Sequence, residues 1–104
     1  LTVKGFFCSD LNYEETATKY IEENKNLMIP WYLMASYAYY EENDPIFSDY
    51  FYDTLAQRMI KEWKNLSHFH KHLISLDDLS AGCYIGDYPN RIICAVKHLK
   101  KCTP

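Results

Sequence analysis

Apolar residues recur with the helical period in several stretches of this chain, and polar turn signals separate those stretches. Asn12 followed three residues later by Glu15 has capping-box spacing. Tyr13, Ala17, Tyr20 and Ile21 then recur at helical spacing, which predicts a first helix over about residues 13–25. Pro30 suits the first turn of a second helix, with Trp31, Met34 and Ala38 on one face and Leu33, Tyr37 and Tyr40 on its neighbour, ending near Asn43. Asn43-Asp44-Pro45 is turn chemistry, and Ser48 is a good N-cap for a third helix. The stripe Tyr52, Leu55, Met59, Trp63 carries that helix to about residue 64. The loop before it is short enough to pack the second and third helices as an antiparallel hairpin.

Beyond Leu66 the pattern is weaker. Ser75 and Asp78 suggest another capped turn, and Gly82 and Gly86 bracket Cys83-Tyr84-Ile85, which suits a short strand. After Asn90, the residues Ile92, Ala95, Val96 and Leu99 form one helical face, although Arg91 to Val96 also suits a strand. The fold class expected is mainly α: a small helical domain on an antiparallel hairpin, with a minor β element in the C-terminal third.

At 104 residues the chain fits a single domain, residues 1–104, and its 48% hydrophobic content excludes a disordered or low-complexity protein. The longest weakly polar stretch, Leu27 to Tyr40, contains Pro30 and falls short of the roughly 20 residues of a membrane helix. With no basic segment followed by an apolar one at the start, a cytoplasmic location is expected, and the chain opens on Leu1, so upstream residues are open to trimming. Cys8, Cys83, Cys94 and Cys102 show no C-x-x-C spacing, and reduced thiols are expected. Residues 1–53 carry three basic and ten acidic groups, and residues 54–104 eight basic and four acidic ones. Such an acidic first half argues against direct DNA binding and leaves only Arg91, Lys97, Lys100 and Lys101 to meet phosphates. A solvated helix face is the favoured explanation of those four.

Six of the ten tyrosines lie between Tyr32 and Tyr52, overlapping five carboxylates between Glu41 and Asp53. Asp49, Tyr52 and Asp53 share one face of the third helix by i, i+3 and i+4 spacing, and Tyr39 and Tyr40 stand across the hairpin at a similar distance from the loop. Rings that stack on a cation, beside carboxylates that accept hydrogen bonds from hydroxyls or an amide, suit a flat, positively charged ring carrying a sugar, such as a nicotinamide riboside. The same tyrosines also suit plain packing with their hydroxyls at the surface, and Asp49 a helix N-terminus that favours negative charge.

The run Tyr37-Ala38-Tyr39-Tyr40, then Asp44-Pro45, Ser48-Asp49 and Tyr52-Asp53-x-Leu55 resembles the small helical Ia domain that precedes the nucleotidyltransferase domain of bacterial NAD-dependent DNA ligases. His72-Leu73-Ile74-Ser75-Leu76-Asp77-Asp78 is similar to the segment by which those ligases pass into the catalytic domain. Together the motifs cover about residues 31–79. The resemblance implies a site for NAD or its nicotinamide mononucleotide half at Tyr39, Asp49, Tyr52 and Asp53. Tyr40 stands where the family has a histidine, and a phenol donates a hydrogen bond but stays uncharged near neutral pH. No lysine here lies in the family's adenylated Lys-x-Asp-Gly motif, and the residues after Asp78 are too few for a nucleotidyltransferase domain. The expectation is therefore a free-standing Ia-like domain, of the kind a bacteriophage encodes in its host's cytoplasm, or a fragment. It would bind a nicotinamide nucleotide without catalysis, assisting adenylation by another chain or sequestering the nucleotide. The alternative is a module that docks on a host ligase or other nucleic-acid enzyme and inhibits or recruits it.

His68, His70 and His72 alternate, a pattern that suits zinc in an extended segment, whereas in a helix only His68 and His72 share a face. With no acidic ligands nearby, a loop of solvent-exposed histidines is expected, and no metal. Cys8 reads as a small buried hydrophobe, and no phosphate-binding glycine loop is present.

Overall fold

The computed structural model describes residues 13–68, 70–81 and 88–101, and the short strand expected around Cys83, the Asn12 cap and three of the four cysteines lie outside them. Among the described residues five α-helices run in order: α1 Tyr13–Glu23, α2 Met28–Tyr40, α3 Asp49–Glu62, α4 Leu76–Ala81 and α5 Asn90–Lys101. Short 3-10 turns lie between them at Lys25–Leu27, Trp63–Asn65 and Lys71–Leu73. The protein is mainly α, as the periodicity indicates, and Arg91 to Val96 is helical.

The ends of these helices are set by local chemistry. Asn24 takes an extended backbone and its side chain accepts from the Asn26 amide, so α1 stops before it and a capped 3-10 turn begins. That turn runs directly into α2, which starts two residues ahead of Pro30 and leaves the ring in the first turn, where it displaces no intrahelical bond. Ser48 caps α3 by accepting from Phe51 N–H at 3.1 Å, and its own N–H donates to Glu14 of α1 at 2.7 Å. Ser75 and Asp78 form a reciprocal capping box at the start of α4, each side chain accepting from the other's amide at 3.1 and 3.0 Å. Lys71 closes the far end of α3: its ammonium donates to the carbonyls of Trp63 and Leu66 and lies over the Trp63 ring.

The core is organised around α2, which buries Met28, Ile29, every residue from Trp31 to Ser36, and Ala38. A helix apolar on all sides must be covered on all sides, and α3 and α5 both pack against it. Ala17 and Ile21 of α1, Leu55, Ala56 and Met59 of α3, Leu79 of α4, and Ile92 and Val96 of α5 join the same cluster. Side chains such as Tyr32, Leu33 and Met59, fully withdrawn from water, each contribute roughly 1.5–3 kcal/mol to folding. Tyr32 and Ser36 on α2 both meet Tyr52 on α3, and the chain reverses between them, so the pair is the expected antiparallel hairpin. None of the described helices is long and apolar enough to cross a membrane.

Candidate functional site

The reversal between α2 and α3 is shaped by one residue. Asn43 has φ of 54°, the left-handed conformation that Asn tolerates better than most residues, and α2 ends at Tyr40 because the chain must turn to reach it. The turn brings Asp44 N–H back to the Ala38 carbonyl at 2.9 Å. From the other side Lys100 of α5 grips the same loop, donating to Glu42 Oε1 at 2.8 Å, the Asp44 carbonyl at 2.7 Å and Asp44 Oδ2 at 3.0 Å. Burial alone would lower the Lys100 ammonium, but these hydrogen bonds to Glu42 and Asp44 outweigh it and raise its pKa. Of the basic residues available to phosphates in the sequence, Lys100 is thus engaged internally, and Lys97 also faces Glu42 at 4.0 Å.

Beside this loop lies an open cleft of about 220 Å³ between α2 and α3, and Tyr39, Tyr40, Asp49, Tyr52 and Asp53 all line it. Asp49 is the first residue of α3, and Asp53 lies one turn later, so both carboxylates stand on the same side of the helix. Tyr39 and Tyr40 are partly exposed and meet edge to face, with ring centroids 4.8 Å apart. Tyr52 is held more firmly. Its ring stacks on the buried Tyr32 at 4.9 Å, and its hydroxyl lies 2.6 Å from Ser36 Oγ, so packing and cleft lining are combined in one side chain.

Three lining residues escaped the sequence pattern: Ala35, Pro45 and Phe47. Ala35 lies one helical turn before Tyr39, and its small side chain leaves room between the rings of α2 and α3. Phe47 precedes the Ser48 cap and packs on Phe51 in the first turn of α3 at 4.5 Å, close to the arrangement of a hydrophobic staple. It also stacks on Trp31 at 6.0 Å, which anchors it to the core. A hydrophobic residue just before a cap was the available signal.

The histidine segment is only in part the expected exposed loop: His72 is exposed, His68 is half-buried and His70 is buried. His70 is only 7% exposed, its N–H donates to His68 Nδ1 at 3.1 Å, and the two rings lie 5.2 Å apart. Leu66 and Ile74, on either side of His70 in sequence, are buried as well. Burial pushes both imidazoles below their ordinary pKa, and at His70 the charges of His68, Arg91 and His72 add to the effect. Among the described residues no group of three His, Cys, Asp or Glu side chains is placed to hold a metal ion.

The chain matches no family model, no curated protein and no solved structure. The likeness to the ligase Ia domain therefore rests on the motif residues themselves.

Proposed function

We propose that this protein is a non-catalytic module that binds a nicotinamide nucleotide through its nicotinamide riboside portion, assisting adenylation carried out by another chain or sequestering the nucleotide. The observation that carries this reading is that the five residues singled out by the sequence line one cleft. Tyr39 and Tyr40 would offer ring faces to the cationic ring, and Asp49 and Asp53 would accept hydrogen bonds from ribose hydroxyls or the carboxamide. Tyr52 would form a fixed wall. The volume is below the roughly 300–1,000 Å³ of a drug-sized pocket, which suits a ring and sugar better than a whole dinucleotide.

Titration with nicotinamide mononucleotide and NAD, monitored by calorimetry and by amide NMR shifts, tests the reading. Saturable shifts at Tyr39, Asp49 and Asp53 are expected. If millimolar ligand moves none of them, the reading is wrong.

A second reading has its own support: Tyr50 is 81% exposed on the first turn of α3, adjacent to Asp49. An outward-facing tyrosine beside a cleft is a good anchor for a protein partner such as a host nucleic-acid enzyme. Loss of partner capture on Tyr50→Ser, with nucleotide binding absent from the wild type, would favour it.

A further inference from the structure

The cleft's charge is one-sided. Its described lining contains two carboxylates and three phenols but no Lys, Arg or His, and Lys100 of α5, which reaches the adjoining loop, is bound to Glu42 and Asp44. Asp49 and Asp53, about 6 Å apart at their Cβ atoms by helix geometry, act together on any charge placed between them. For a ligand with a positive ring this is attractive. For the same ligand carrying a phosphate it is not, because the phosphate brings about −1.5 to −2 charges and meets no cation in the described lining.

We infer that the cleft binds the nicotinamide riboside cation more tightly than its phosphorylated form, so that a nicotinamide nucleotide is held by its ring and sugar while its phosphate weakens the binding. The inference rests on the nicotinamide reading above and sharpens it. Stacking on Tyr39 and Tyr40 gains a cation–π contribution only while the ring is charged, and hydrogen bonds from sugar hydroxyls to Asp49 and Asp53 do not depend on a phosphate. Both contributions are complete in the riboside. Adding the phosphate introduces repulsion that no cation in the described lining offsets.

Three ligands separate these contributions by calorimetry at low ionic strength: nicotinamide riboside, nicotinamide mononucleotide, and the uncharged 1,4-dihydronicotinamide riboside, which has nearly the same shape. The riboside is expected to bind about tenfold more tightly than either of the others. Salt should shrink its advantage over the mononucleotide, since it screens attraction and repulsion alike. In the double variant Asp49→Asn with Asp53→Asn, the riboside should weaken and the mononucleotide should not, bringing the two within about threefold. A mononucleotide that binds as tightly as the riboside overturns the inference and leaves the nicotinamide reading standing. Equal binding of the uncharged riboside also overturns it. Should none of the three bind, both are overturned.

Discussion

The hydroxyl of Tyr52 and Oγ of Ser36, sixteen residues apart in sequence, lie 2.6 Å from one another across the α2–α3 interface. Ser36 is fully buried, and Tyr52 stacks on Tyr32, so this hydrogen bond fixes the rotation of a ring that also lines the cleft. The wall of the site is thereby part of the core.

Removing that hydroxyl should be felt in stability before binding. Tyr52→Phe leaves the buried Ser36 without this bond and should cost about 0.5–1.5 kcal/mol, read from the midpoint of urea denaturation. Stacking on Tyr32 remains, so the fold should persist. An unchanged midpoint would show that the hydrogen bond contributes nothing.

Tyr40→His tests the missing cation. With an imidazole at this 38% exposed position, nicotinamide mononucleotide should bind more tightly by up to about 1.5 kcal/mol, solvent screening keeping the gain below that of a buried charged hydrogen bond. The gain should grow as pH falls from about 8 to 5.5, through the ordinary histidine range. Nicotinamide riboside, with no phosphate to meet and the Tyr40 ring face lost, should weaken, the more so as pH falls. A flat pH response for the mononucleotide in calorimetry would place Tyr40 away from the phosphate.

The left-handed turn at Asn43 predicts a steric effect. Asn43→Gly should be neutral or slightly stabilising, whereas Asn43→Val should cost about 1–2 kcal/mol, because a β-branched residue resists positive φ. Thermal unfolding of the two variants measures the difference. Equal melting temperatures would mean that the turn relaxes to another conformation.

His70 makes stability depend on pH. Its folded pKa lies below the ordinary 6.5, so as pH drops past 6.5 the unfolded chain takes up a proton that the folded one resists. Stability from this group is present above 6.5 and is lost as pH falls through the folded pKa. The melting temperature should therefore decline between about pH 7 and 5, and His70→Gln should flatten that decline. If the slope survives the substitution, other groups account for it.

Much of this architecture is legible in the amino-acid sequence because it is local. The Ser48 cap and the Ser75–Asp78 box depend on residues three apart, and the i, i+3, i+4 spacing of Asp49, Tyr52 and Asp53 places them on one face whatever else the chain does. What is decided by distant contacts is hidden. The second face of α2 is buried because α5 covers it, and the burial of His70 follows no periodic pattern in the sequence. Ala35 belongs to the cleft through the space its side chain leaves, a property no residue pattern announces.

The grip of Lys100 on the α2–α3 loop spans 56 residues of chain. During synthesis, α2 and α3 emerge long before α5, and their hairpin is assembled from close-range contacts that form early. Asp44, already bonded to Ala38 within the hairpin, acquires its tether to Lys100 only once the last helix docks. A truncated or nascent chain ending before α5 would therefore carry the cleft residues without the tether beside them.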